Sequence, residues 1–137
     1  MTDPIRLLLA DDQQMVRAGF RLVLDAQPDM SVVGEANDGA EALQLVDELA
    51  PDVVLMDIRM PVLDGLGATE KIMTSHPEAK ILVLTTFDLD EYVHSALRAG
   101  ASGFMLKDAG PTELLAAIRA VRDGDSVVAP VSYTHLR

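Results

Sequence analysis

Asp11 and Asp12 stand directly after an apolar run, Leu7-Leu8-Leu9-Ala10, and Asp57 directly after another, Val53-Val54-Leu55-Met56. Two further runs end on groups of complementary chemistry: Ile81-Leu82-Val83-Leu84 on Thr85-Thr86, and Phe104-Met105-Leu106 on Lys107. If these run ends meet, three carboxylates share one place, which like-charge repulsion disfavours unless a cation compensates. All-oxygen donors suit a hard divalent ion such as Mg2+, which keeps several of its waters. An ammonium and a hydroxyl beside such a cation make an anion clamp. Cation and Lys107 neutralise phosphoryl oxygens, Thr85 donates a hydrogen bond, and an Asp oxygen is placed for attack. A plainer reading is open for each acid alone: Asp11 and Asp12 cap the following helix and Asp57 opens a loop. Capping needs only one acid of the pair, so the convergent reading gains weight if all three ends coincide.

Whether they coincide depends on the elements that carry them. Residues 5–10, 31–36, 53–56, 81–85 and 102–106 are short runs of aliphatic and β-branched residues, several of them continuous rather than alternating. That is the pattern of strands covered on both faces of a parallel sheet. Between them apolar residues recur with helical period: Val16, Phe20, Val23 and Leu24; Ala42, Leu43, Val46 and Leu49; Leu66, Ile72 and Met73; Val93, Ala96 and Leu97; Leu114, Leu115, Ile118 and Val121. Asp38-Gly39 and Asp64-Gly65 read as turns, and Gly100 and Gly124 as helix stops. Strict alternation in one unit predicts a doubly wound (βα)5 α/β sandwich, flavodoxin-like, with a five-stranded parallel sheet in the order 2-1-3-4-5. In such a sheet the functional crevice lies beyond the carboxyl ends of the strands, where these side chains fall.

The whole chain agrees with one such unit. Its 137 residues suit one domain, and 49% hydrophobic with 24% charged residues is a globular composition. The absence of cysteine excludes disulfides, thiol catalysis and thiolate metal sites. No run approaches the roughly 20 apolar residues of a membrane span, and the start Met1-Thr2-Asp3-Pro4 lacks the features of a signal peptide, so a cytoplasmic protein without membrane contact is expected. With 22 acidic against 11 basic residues and a net charge of -11, this chain by itself repels nucleic acid. A cation or a basic protein face is the better partner.

Taken in order, Leu9-Ala10-Asp11-Asp12, Leu55-Met56-Asp57-Ile58-Arg59-Met60-Pro61-Val62-Leu63-Asp64-Gly65, Thr85 and Gly100-Ala101-Ser102-Gly103-Phe104-Met105-Leu106-Lys107 resemble the receiver domain of bacterial two-component response regulators. Gln13-Gln14-Met15-Val16-Arg17-Ala18-Gly19-Phe20 together with Gly100-Ala101-Ser102-Gly103 and Lys107-Asp108 is similar to the LuxR or NarL branch. The resemblance implies a receiver over residues 1–124. Residues 125–137 are then a linker, a truncated junction or a tail foreign to the domain. It implies that Asp57 accepts a phosphoryl group from a sensor histidine kinase. Mg2+ would be held by Asp12, Asp57 and the backbone carbonyl of Arg59, with Asp11 acting through a coordinated water. Lys107 would pair with Asp57 and then with the phosphoryl group, Thr85 would close on it, and Phe104 would turn inward behind it as the switch aromatic. Arg59 and Phe87 would shield the phosphoryl group from hydrolysis. A phosphorylation-dependent homodimer is implied, with DNA reached only through a C-terminal output domain outside this sequence. Such a protein is no turnover enzyme.

Two positions depart from the usual pattern or stay open. Many receivers carry proline after the site lysine, whereas here the residue is Asp108. Phe104 fits a core aromatic as well as a switch, and lacking a hydroxyl it can couple to Thr85 only by packing. Two other activities of similar folds fit poorly. An aspartyl-phosphate phosphatase wants a second acid two residues after a nucleophile on strand one, where Gln13 stands. A flavin carrier wants a hydroxyl- and glycine-rich phosphate loop where Asp11-Asp12 stand, and aromatic residues in a chain that has no Trp and two Tyr.

Overall fold

The computed structural model describes residues 3–86, 90–125 and 127–129. Strands β1 (Ile5–Ala10), β2 (Met30–Ala36), β3 (Val53–Asp57), β4 (Ile81–Thr85) and β5 (Gly103–Leu106) alternate with helices α1 (Gln14–Asp25), α2 (Gly39–Leu49), α3 (Gly65–Ser75), α4 (Asp90–Arg98) and α5 (Pro111–Arg122). All strand pairs are parallel, and the expected order 2-1-3-4-5 is present. Every residue of β3 and β4 is buried, the physical counterpart of their unbroken apolar sequence.

The sheet extends one strand further than expected. Val127–Ala129 form β6, which pairs with β5 in the register Gly103↔Val127 and whose Val127 amide donates to the Ser102 carbonyl at 3.2 Å. Three residues carry too little pattern to be read as a strand, and the neighbour that orders them is more than twenty residues earlier in the chain.

Successive residues of each strand serve opposite faces. Leu8, Ala10, Val54, Met56, Val83 and Phe104 pack under α2, α3 and α4 with Ala42, Val46, Ile72 and Val93. Leu7, Leu9, Val53, Leu55, Leu84 and Met105 pack under α1 and α5 with Leu24, Leu114, Ile118 and Val121. On α1 the sequence pattern is only half right. Val16, Phe20 and Val23 are half-buried, and it is Arg17 that joins Leu24 among the buried residues.

Asp38-Gly39 and Asp64-Gly65, read as turns, are helix starts. The Asp38 carboxylate caps α2 by accepting from the Glu41 amide, and the Asp64 carboxylate caps α3 by accepting from the Gly67 amide, each at 2.7 Å. The glycines follow because neighbouring backbone lies against them: a Cβ on Gly65 would sit 1.9 Å from the Asp57 carbonyl oxygen, and one on Gly39 2.1 Å from that of Leu63. Gly100 and Gly124 do end their helices, at φ of 103° and 96°.

Candidate functional site

The carboxyl ends of β1, β3, β4 and β5 bring Asp11, Asp12, Asp57, Thr85 and Lys107 to one edge of the sheet. β1 and β3 are direct neighbours with Ala10 opposite Met56, so the acids that follow each strand emerge side by side. One oxygen from each of Asp11, Asp12 and Asp57 lies within 4.8 Å of the others. Asp11 and Asp57 are buried and Asp12 is exposed. Thr85 pairs with Leu106 at the end of the β4–β5 ladder, and its carbonyl accepts the Lys107 amide at 2.7 Å, which delivers the lysine to the cluster. Lys107 Nζ stands 2.6 Å from Asp11 Oδ2 and 3.3 Å from Asp57 Oδ1.

The plainer reading of Asp11 and Asp12 as caps of α1 does not hold. The cap position is Gln13, with no side-chain capping bond. Asp11 instead is tied to the sheet edge by its amide, its Oδ1 and its carbonyl. Its amide donates to the Ala36 carbonyl at 3.0 Å, its Oδ1 accepts from the Gln13 amide at 2.9 Å, and its carbonyl accepts from Arg17 Nη1.

Three carboxylates against one ammonium leave a local excess of two negative charges. Burial pushes the Asp57 carboxyl above its usual range; Lys107 pulls it back, and Asp11 and Asp12 push it up again. Burial would lower Lys107, but its ion pairs with Asp11 and Asp57 outweigh that and raise it, so the lysine stays charged. The donor set fits a hard divalent cation: all-oxygen, negatively charged, and entered from the exposed Asp12 side. Asp11 Oδ2 points the same way, since it meets the Lys107 charge with no aligned hydrogen bond. An open cleft of about 560 Å3 runs from Asp12 along Ile58, Arg59, Met60, Pro61, Asp64 and Leu66. A hollow of about 630 Å3 at the opposite end of the strands, near Asp52, His76 and Arg122, gathers none of these residues.

Arg59 is exposed on the wall of the cleft, and Phe104 is fully buried beneath α4 with Val93 and Ala96. Phe87 lies outside the described residues. The Lys107–Asp108 peptide bond is trans.

Two features near the site are not recognisable from residue types at strand ends. Buried Arg17 and half-buried Glu35 form a brace behind Asp11; the available signals were a cation at an inward helical position and an acid inside a strand. The β3–α3 loop contains Val62 at φ 70°, with the Leu63 amide donating to the Pro61 carbonyl at 2.7 Å, a γ-turn of the strained positive-φ kind. Val62 is 82% exposed, so no packing explains its place there.

The family model described as the response regulator receiver domain matches residues 7–119. A Bacillus subtilis protein, the uncharacterized transcriptional regulatory protein YxjL, is 50% identical over 95% of this chain and 60% of its own length. The oxygen regulatory protein NreC of Staphylococcus aureus is 50% identical over 90% of this chain and 58% of its own length. The chain thus spans about three fifths of these curated relatives. Among solved structures, the NarL signal receiver domain of Mycobacterium tuberculosis superposes with a TM-score of 0.86 at 35% identity, covering 90% of this chain and 99% of that one. A LuxR-family two-component response regulator from Aurantimonas sp. SI85-9A1 gives 0.92 at 35% identity, covering 98% and 96%. With the acids, the hydroxyl and the lysine at the strand ends where the sequence put them, the chain belongs to the response regulator receiver domain family, among relatives of the NarL and LuxR type.

Proposed function

We propose that this receiver is a phosphorylation switch in which an Asp57 carboxylate oxygen attacks the phosphorus of a sensor kinase phosphohistidine. The P–N bond breaks, the imidazole leaves with the electron pair, and an aspartyl phosphate forms. The observation that carries this reading is the Lys107 ammonium lodged between Asp11 and Asp57 beside an exposed third carboxylate. Asp12, Asp57 and the Arg59 carbonyl would hold Mg2+, with Asp11 acting through a water that would donate to its Oδ2, since Oδ1 already accepts from the Gln13 amide. Bound there, Mg2+ would offset phosphoryl charge during transfer.

Lys107 keeps its charge and exchanges the Asp57 oxygen for a phosphoryl oxygen. Thr85, at the adjacent strand end, closes on the same group, and Phe104 follows it by packing. Arg59 and Phe87 limit the approach of water. The described residues contain no helix long and apolar enough to cross a membrane, in keeping with a cytoplasmic switch. Output is a homodimer of the phosphorylated form, and DNA is reached through a further C-terminal segment, since the chain's own net charge of -11 opposes it. Mass spectrometry after incubation with acetyl phosphate and Mg2+ tests the reading. A single phosphoryl adduct is expected, absent in Asp57→Asn; phosphorylation of that variant at the wild-type rate refutes it.

A further inference from the structure

The loop that carries Asp11 and Asp12 is gripped from behind by a residue outside the cluster. Arg17 is only 7% exposed, and its guanidinium spans two elements. Nη1 donates to the Asp11 carbonyl, and Nε donates to Glu35 Oε1 on β2 at 2.8 Å. Arg21, one turn later on α1, holds the other Glu35 oxygen at 2.7 Å.

Glu35 reaches this position because β2 is irregular. Val32 lies opposite Leu7 and Gly34 opposite Leu8, so the register slips by one residue between them. With strict alternation, Glu35 would share a face with Leu8 and Ala10, under α2. The bulge turns it to the α1 face opposite Leu9 and returns Ala36 to the face of Ala10. A bulge that delivers one carboxylate to one buried guanidinium is a structural investment in where that guanidinium points.

We infer that Arg17 is a positioning residue for the cation site: by fixing the Asp11 carbonyl while anchored on Glu35, it sets the backbone that aims the Asp11 and Asp12 carboxylates at Asp57. This rests on the metal-assisted reading above. Only a planar fork reaches both acceptors at once, so Lys at this position keeps the charge and loses one of the two contacts. Groups that orient metal ligands from behind typically cost 10- to 100-fold in metal affinity when removed.

The test is calorimetric titration of Mg2+ into the full 137-residue chain and its Arg17→Lys, Arg17→Met and Glu35→Gln variants, at a temperature where circular dichroism shows each folded. The Kd should rise about tenfold or more in both Arg17 variants and stay within about threefold in Glu35→Gln, whose amide oxygen still accepts from Nε. A folded Arg17→Lys or Arg17→Met with wild-type affinity overturns the inference. So does failure of both to fold, which assigns Arg17 to the core alone, or a loss in Glu35→Gln as large as in Arg17→Met, which assigns the effect to the ion pair. Wild type that binds no Mg2+ sinks the metal-assisted reading itself. Wild type that binds, with indifferent Arg17 variants, sinks only the role of Arg17.

Discussion

Replacing Lys107 by Met separates two roles that a cation and an ammonium share in this site. Methionine keeps most of the stem and removes the charge that stands 2.6 Å from Asp11 and 3.3 Å from Asp57. At an effective dielectric of about 20 each contact has a gross attraction of roughly 5–6 kcal/mol, most of it offset by the cost of taking the three groups out of water. What remains on breaking a buried pair is about 3 kcal/mol, because the carboxylates stay behind uncompensated. In a domain of this size that lowers Tm by about 10 °C without metal. The local charge then goes from two negative to three, and a divalent cation no longer competes with Nζ for the same oxygens. Mg2+ should therefore bind about tenfold or more tightly, a gain of about 1.4 kcal/mol. At about 100 times the variant's Kd, which is about 10 times that of wild type, Mg2+ should add about 2.7 kcal/mol to the variant and about 1.4 kcal/mol to wild type, narrowing the gap from about 3 to about 1.7 kcal/mol. Thermal unfolding and calorimetric titration at pH 8, each with and without Mg2+, read both quantities. A Kd weaker than wild type would mean that ammonium and cation cooperate, and the competition argument would be wrong.

Asp12→Ala should act in the opposite sense. It removes the exposed carboxylate of the cluster, so Mg2+ affinity should fall at least tenfold by titration with little change in metal-free stability. Gly65→Ala forces a Cβ to 1.9 Å from the Asp57 carbonyl oxygen and should cost more than about 3 kcal/mol in urea unfolding; a smaller loss would mean that the loop yields easily. The hydrogen bond from Arg17 holds Glu35 below its ordinary 4.5, with Arg21 acting in the same direction. A depressed carboxyl stabilises the fold above its unfolded pKa and loses that stabilisation as pH falls through the folded one, so wild type should weaken below about pH 4.5 with a slope that Glu35→Gln lacks. Parallel acid limbs in the two proteins would contradict this.

The strand ends were legible because position along a parallel strand leaves little freedom. An unbroken apolar run such as Val53-Val54-Leu55-Met56 must be buried on both faces, and the first polar residue after it must emerge at the carboxyl edge. The same logic placed Asp11, Thr85 and Lys107, and the order 2-1-3-4-5 then made neighbours of residues as far apart in the chain as Asp11 and Lys107. Local chemistry at Gly39 and Gly65 was less legible. Aspartate before glycine suits a turn and a helix start equally, and only the backbone lying against the glycine decides. Strand β6 depends on an edge that β5 offers, so its three residues carry no pattern of their own.

Arg17 and Glu35 show a different limit. Read on periods alone, a charged residue on the inner face of α1 or within β2 counts against the element, because an unpaired charge there is costly. The two cancel each other's cost only through a register slip in β2, and a slip leaves the composition of the strand unchanged. Val62 is the same kind of feature on the other side of the site. Its positive φ costs about 1–2 kcal/mol for an L-residue, and the side chain is exposed, so the strain is held by the fixed ends of the loop: the Gly65 amide on the Ile58 carbonyl at 2.7 Å and the Gly39 amide on the Leu63 carbonyl at 2.9 Å. Val62→Gly removes that strain and gives back part of it as unfolded-state entropy, leaving an expected gain of about 0.5–1 kcal/mol. If urea unfolding shows the variant less stable than wild type, the valine contributes something other than strain, and the loop between Asp57 and α3 is held by its side chain after all.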